Sequence, residues 1–236
     1  MKSSNSINGG AFISSTTNMQ NYANQLANYV ERMKNSYGIR LHAISLQNEP
    51  DLSTTYESCT WTAQQFHDFI PYVAQALSNK GLSQTKIAMP ESMHWNFSLA
   101  ADTATDPLTR PHIGILAGHS YGSSAAAVAP LAPDLNVPLW QTEHYFGTGD
   151  TISDGLLVGT EIHEYLTIAQ ANAYHYWWLK SSGNGSIIGN TPSAPAKRFY
   201  VMGQFSKFVR PGDRRVDVVS NNTCLLYTSP SPRDRG

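Results

Sequence analysis

Apolar and polar positions along the chain fall into two alternating rhythms. From Thr17 to Tyr37, Tyr22, Leu26, Tyr29, Val30 and Met33 recur at helical spacing and Gly38 follows as a stop, which predicts an amphipathic helix. Leu41 to Gln47 reads as a short buried strand ending in Asn48-Glu49-Pro50, where Pro50 cannot supply a ladder hydrogen bond. Thr62 precedes a second helix with Phe66, Phe69, Val73 and Leu77 on one face and Gly81 just past its end. Lys86 to Met89, Ile113 to Ala117, Val137 to Thr142 and Ala173 to Leu179 are strand-like, while Gly155 to Ala171 and Ala196 to Val209 are helical.

Strands that alternate with helices, without hairpin turns, predict parallel pairing in an α/β fold: a (β/α)8 TIM barrel or an open doubly wound sheet. The polar residues favour the barrel. Asn48-Glu49, Glu91-Ser92, His119 with Tyr121, Glu143 with Tyr145, and Trp177-Trp178 each fall at or just past the C-terminal end of a different strand. In a barrel those ends surround one mouth, where the chemistry sits. A closed barrel needs eight strands and about 250 residues, so five strand-like runs predict an incomplete barrel lacking about three βα units at its start. Residues 1–212 are expected to form this partial barrel, and 213–222, with a strand over Arg214 to Val219, to begin a side β-domain. Residues 223–236 change composition abruptly, have no periodicity and resemble translated adaptor sequence, so they are expected to be an unstructured tail.

Composition narrows the partners. With 41% hydrophobic residues among 236, the chain can build one sizeable core, and its 16 basic and 17 acidic residues form no patch that neutralises phosphates. Nucleic acid is therefore not an expected partner. No apolar stretch is long enough to span a bilayer, and MKSSNSINGG lacks the hydrophobic region of a signal peptide. Two cysteines, Cys59 and Cys224, offer neither CxxC nor metal spacing, and the eight histidines are scattered, so no metal and no cofactor are expected. Five Trp and 12 Tyr beside many Asn, Ser, Thr and Gln suit a protein that stacks rings on sugars, although they suit ordinary cores as well.

The chemistry converges on Glu49 and Glu143. Two carboxylates across one mouth suffice for glycoside hydrolysis, one donating a proton to the leaving oxygen and the other attacking the anomeric carbon. Strand alternation puts Ala43, Ser45, Gln47 and Glu49 on the inner face, with Ile44 and Leu46 towards the helices. By the same rule Leu139 and Gln141 share the face of Glu143, and Trp140 turns outward. Either Glu alone is more simply a strand-end carboxylate in a salt bridge or helix cap; the pair is what points to catalysis.

LHAISLQNEPD (Leu41 to Asp51) resembles the acid/base strand of glycoside hydrolase family 30, and LWQTEHYF (Leu139 to Phe146) its nucleophile strand. GQFSKFVRPGDRRV (Gly203 to Val216) resembles the last barrel helix and the first side-domain strand, and MKSSNSINGG the loop after the third strand. The likeness runs over residues 1–220 and is strongest to the xylan-cleaving members, through YWWLK and SKFVRPG. Asn-Glu-Pro is common to many retaining glycosidases; four segments in order are far more selective. The resemblance implies a retaining endo-β-1,4-xylanase, secreted as the full-length parent and monomeric, with a polysaccharide as its partner. It implies Glu49 as acid/base, Glu143 as nucleophile, and Asn48 as the partner of the sugar 2-hydroxyl. His119 and Tyr121 match the pair after the sixth strand, and the Tyr121 hydroxyl is expected to hold Glu143 ionised while burial raises Glu49. Trp61, Tyr145, Trp177 and Trp178 are candidates for sugar stacking. Glucuronoxylanases of the family carry Arg-Arg-Ser-Tyr after the last barrel strand, whereas this chain has Lys180-Ser181-Ser182-Gly183. Lys180 is no bidentate partner for a glucuronate, which predicts cleavage independent of that branch.

Three other readings compete. The first is another β-glycosidase of the family, acting on glucan or on glucosylceramide. In the second, Gly118-His119-Ser120-Tyr121-Gly122 fits the G-x-S-x-G elbow of serine hydrolases, with Asp134 or Asp154 and His163 or His175 as partners, although no oxyanion HGG motif accompanies it. The third is an inactive carbohydrate-binding fragment.

Overall fold

The computed structural model describes residues 1–128, 136–147, 149–181, 185–189 and 195–216. Helix α1 (Thr16–Tyr37) starts where the Ser15 side chain accepts from the Asn18 amide and stops at Gly38, whose φ of 69° is left-handed. Its buried stripe is Met19, Ala23, Ala27 and Val30. Tyr29, expected on that face, is exposed; the α1 ring that reaches the neighbouring helix α2 (Ala63–Asn79) is Tyr22, stacked on Phe69 at 5.4 Å. Thr62 and Gln65 close a reciprocal capping box at the start of α2, and Phe66, Phe69, Ile70, Val73, Ala76 and Leu77 form its buried face.

Strands β1 (Ala43–Ser45), β2 (Lys86–Ser92), β3 (Ile113–His119), β4 (Leu139–Glu143) and β5 (Ala173–Tyr174) all pair in parallel. Their order in the sheet is the order in the chain. A doubly wound sheet reverses direction at a switch point; here there is no reversal, and the helices α2, α3 (Ser98–Thr105), α4 (Ala125–Val128) and α5 (Ile152–Thr167) connect successive strands. The described chain is thus an incomplete (β/α)8 barrel, with α6 (Lys197–Ser206) packed on α5.

Two apolar layers hold it. Between sheet and helices, Leu46, Met89, Leu116 and Leu139 pack with Phe66, Phe69 and Val73; inside the curve, Ala88, Ile115 and Ala117 pack with Ala43 and Trp140. Leu139 and Trp140 therefore lie on the opposite faces to those expected. The cause is a bulge: Gly118 pairs with Gln141 but His119 with Glu143, so Thr142 is an extra residue and the alternation changes phase just before Glu143. A second bulge, between Pro90–Ala117 and Ser92–Gly118, inserts Glu91 into β2 in the same way. Helix α3 was not predicted, because its buried side chains are only Ala100, Thr103 and Ala104. Residues 210–216, expected to enter a strand at Arg214, form none, and the rest of that predicted strand and the tail lie outside the described residues. No described helix is long and apolar enough to cross a membrane.

Candidate active site

Four strand ends deliver a titratable side chain to one place. In a flat sheet β1 and β4 would stand about 14 Å apart, three strand spacings. The carboxylate oxygens of Glu49 and Glu143 nevertheless come within 4.8 Å of each other, which requires the sheet to curl. The centre of the group is His119, 2% exposed, on the end of β3. Its Nδ1 lies 3.1 Å from Glu49 Oε1 and 3.8 Å from Glu143 Oε1, and its Nε2 lies 3.5 Å from Glu91 Oε2. Around them is a cavity of about 370 Å³ lined by Tyr22, Asn48, Glu91, His119, Thr142 and Glu143 among others.

Backbone geometry aims the carboxylates. Glu49 and Glu91 both occupy the left-handed region, with φ of 44° and 61°, and the Glu49 amide donates to the Glu91 carbonyl at 2.9 Å. Such strain persists only where the surroundings over-determine it. The loop after Glu49 turns back on itself through Leu52 N–H to Glu49 O and Trp61 N–H to Pro50 O, and this returns Tyr56 to the site. The Tyr56 hydroxyl donates to Glu49 Oε2 at 2.7 Å. Across the mouth the Tyr121 hydroxyl donates to Glu143 Oε1 at 3.0 Å, and the Tyr121 ring stands edge-on to His144, itself 2.7 Å from Glu161.

The electrostatics run opposite to expectation. Burial pushes Glu49 up, but hydrogen bonds from His119 and Tyr56 and the adjacent His119 charge outweigh it, and Glu49 lies below the usual carboxylate range. Glu143 lies above it: burial raises it and the charges of Glu49 and Glu91 add, against the His119 charge and the Tyr121 hydrogen bond. The asymmetry follows from the partners, since Glu49 accepts from both His119 and Tyr56, whereas Glu143 accepts from Tyr121 and is repelled by Glu49 and Glu91. For His119 itself burial favours the neutral ring, yet hydrogen bonds to Glu49 and Glu91 and the charge of Glu143 raise it to about 9.

The aromatic candidates divide. Trp61 is 4% exposed, stacked on Phe12 at 4.0 Å and packed against Phe66 and Phe69, so it is a core residue with no face free for a sugar; its place between the returning loop and the Thr62 cap puts it inside. Trp177 and Trp178 are exposed, with rings 5.4 Å apart, and Trp178 lies 5.6 Å from Tyr145. Asn48 is exposed at the cavity. Glu91 and Tyr56 were not anticipated as site residues. Glu91 had been noted only as a strand end, and Tyr56 carries no signal in a loop without periodicity.

The elbow reading fails on position. Ser120 is 2% exposed and its hydroxyl meets no histidine; Asp154 caps α5 through Thr151, His163 is exposed on α5, and His175 Nδ1 faces the Gln141 carbonyl. Asp134 lies outside the described residues. Glu49, His119 and Glu143 are close enough together to surround a metal ion. Both nitrogens of His119 already face carboxylates, Nδ1 towards Glu49 and Nε2 towards Glu91.

No family model matches the chain. The glucuronoxylanase XynC of Bacillus subtilis strain 168 is 33% identical over 216 residues, which cover 88% of this chain and 48% of that protein. The family 30 subfamily 8 xylanase of Clostridium acetobutylicum superposes with a TM-score of 0.79 at 38% identity, covering 90% of this chain and 53% of that one. By sequence and by fold, the chain is like the family 30 xylanases. The family 30 endoxylanase of Clostridium papyrosolvens C71 gives a TM-score of 0.74 at 33% identity, over 89% of this chain and 52% of that one. The chain spans about half the length of the curated relatives it matches. This likeness to family 30 xylanases covers every strand end that contributes to the carboxylate group.

Proposed function

We propose that the chain is the acid/base and nucleophile part of a retaining glycoside hydrolase that cleaves β-1,4-xylosidic bonds. The observation that carries the reading is the carboxylate pair, Glu49 and Glu143, with oxygens within 4.8 Å. Retaining enzymes hold their two carboxyl groups about 5–5.5 Å apart, whereas inverting ones need about 6.5–9.5 Å to admit a water. In the proposed reaction a Glu143 oxygen bonds to the anomeric carbon as the bond to the leaving oxygen breaks, and Glu49 gives that oxygen its proton. Glu49 then takes a proton from water, which attacks the anomeric carbon and releases Glu143. Asn48 at the cavity suits a hydrogen bond to the sugar 2-hydroxyl, and Tyr145, Trp177 and Trp178 suit stacking. Xylan as substrate rests on the likeness to xylanases. Independence of glucuronate branches rests on Lys180-Ser181 standing where an arginine pair would be needed.

The pKa directions favour a second reading, in which Glu143 is the proton donor and Glu49 the nucleophile, because the raised carboxyl group is the one that holds a proton. A 2-deoxy-2-fluoro xyloside with a good leaving group decides between them, since it stops at the glycosyl-enzyme. Peptide mass spectrometry should find the sugar on Glu143; label on Glu49 would exchange the roles, and release of product with inverted configuration would refute retention. Equal turnover of glucuronoxylan and arabinoxylan is expected, and strict dependence on the branch would overturn that part.

A further inference from the structure

Glu91 is a buried carboxylate that the hydrolytic steps above do not use. It projects from the bulge of β2 and is 6% exposed, and groups from each neighbouring strand converge on it. Ser45 from β1 donates to its Oε1, Thr142 from the bulge of β4 donates to its Oε2, and His119 Nε2 from the end of β3 stands 3.5 Å from Oε2. A carboxylate removed from water at such cost remains only if it is paired and hydrogen-bonded. Its charged partner, His119, is the side chain that touches both reacting carboxylates through its other nitrogen.

We propose that Glu91 is a positioning residue which holds His119 from behind, so that the ring stays charged on both nitrogens with Nδ1–H aimed at Glu49 and beside Glu143. The imidazole has two donor sites when protonated and only one when neutral. With a carboxylate on each side, both are used; loss of either proton would leave a bare nitrogen facing a carboxylate, and a ring flip would put a C–H where an N–H donates. Without the negative charge behind it, Nε2 would have no ion-pair partner, and the ring would be free to become neutral and to stop donating to Glu49. The groups that face His119 are Glu49 from the β1 end, Glu91 from β2, Glu143 from β4 and the Tyr121 ring, edge-on at 6.1 Å; His94 acts electrostatically on Glu49. Glu91 is the only one of the three carboxylates that neither lies in the reacting pair nor is needed by the hydrolytic steps.

The kinetic consequence rests on the proposed function, but the clamp itself can be read without turnover. Histidine ¹⁵N resonances would be followed by NMR against pH in the whole chain, as wild type, Glu91→Gln and Thr142→Val. Wild-type His119 should titrate near 9, and Glu91→Gln should lower that midpoint by about one unit or more. Thr142→Val removes a donor to Glu91 but keeps the charge, so its midpoint should stay within about half a unit of wild type. An unmoved midpoint in Glu91→Gln, or an equal drop in both variants, would overturn the clamp. If Glu91→Gln does not fold, the wild-type titration decides: a His119 midpoint at the ordinary value of about 6.5 would overturn it as well. In a form of the protein that hydrolyses xylan, Glu91→Gln should lower kcat by about tenfold or more with KM little changed. A shifted His119 in a protein that cleaves no glycoside would refute the function and leave the clamp standing; normal cleavage with an unshifted His119 would do the reverse.

Discussion

His119 Nδ1 lies 3.1 Å from one oxygen of Glu49 and 3.8 Å from one oxygen of Glu143, so a single buried ring is shared unequally by the two carboxylates. The inequality has a consequence for stability. His119 is raised from an unfolded value of about 6.5 to about 9, so between those values the native state holds a proton that the unfolded chain has lost. Its contribution is complete below about pH 6.5 and disappears as pH rises through about 9, a loss on the order of 3 kcal/mol. Urea unfolding at intervals from pH 6 to 9.5 should show that fall, and Glu91→Gln should flatten it; a wild-type stability that rises across this window would contradict it.

Tyr56 controls the other side of Glu49. Its hydroxyl donates to Oε2 while His119 occupies Oε1, so both oxygens of Glu49 are engaged in the free site. A glycosidic oxygen that is to receive a proton from Glu49 has to displace one of these donors, and Tyr56, 48% exposed on its loop, is the one that can move. Tyr56→Phe should therefore raise the pKa of Glu49, because a hydrogen bond that favours the charged form is lost. Carboxyl ¹³C titration of Glu49 would measure it; a fall or no change would show that Tyr56 does not influence this carboxylate.

Glu143, the proposed nucleophile, and Tyr121, which donates to it, can be tested separately. Glu143→Gln keeps the shape of the cavity but removes the carboxylate charge, so under the proposed function turnover of xylan should fall by about a thousandfold or more while oligosaccharide binding is retained. Tyr121→Phe removes the 3.0 Å hydrogen bond but not the carboxylate, and should cost about ten- to a hundredfold in kcat. Isothermal titration with xylo-oligosaccharides and steady-state assays on the same preparations would give both numbers. Turnover retained in Glu143→Gln would reject its role outright.

What could be read in the sequence was the part that repeats. Each of the five strands and the helices with large apolar stripes followed from periodicity, and the strand-end position of Glu49, His119 and Glu143 followed from the strands. Sequence periodicity does not show a bulge: the extra Thr142 changes the phase of β4, so Trp140 fills the inner curve and Leu139 the helix side. Nor does it show how a loop returns. Tyr56 and Trp61 leave β1 in the same segment, yet one reaches Glu49 and the other stacks on Phe12 in the core. The pKa order of the two carboxylates depends on which hydrogen-bond donors and charges surround each, Tyr56 and His119 at Glu49 against Tyr121 at Glu143, which only coordinates supply.

Gly118 shows how closely the site is backed. It sits at the bulge, one residue before His119, and its carbonyl accepts from Thr142 at 3.2 Å. A Cβ there would lie 2.6 Å from the Trp95 indole, a ring that is itself buried and faces Tyr165 at 6.4 Å. The indole cannot retreat without disturbing α5, and the strand cannot shift without moving His119 off Glu49. Gly118→Ala should therefore destabilise the fold by about 1–3 kcal/mol, the usual cost of overpacking. It should also lower the His119 titration midpoint, because the ring is moved with its backbone. Urea unfolding and the histidine NMR titration test the two parts separately: stability lost with His119 unchanged would mean that Trp95 yields and the strand holds its register.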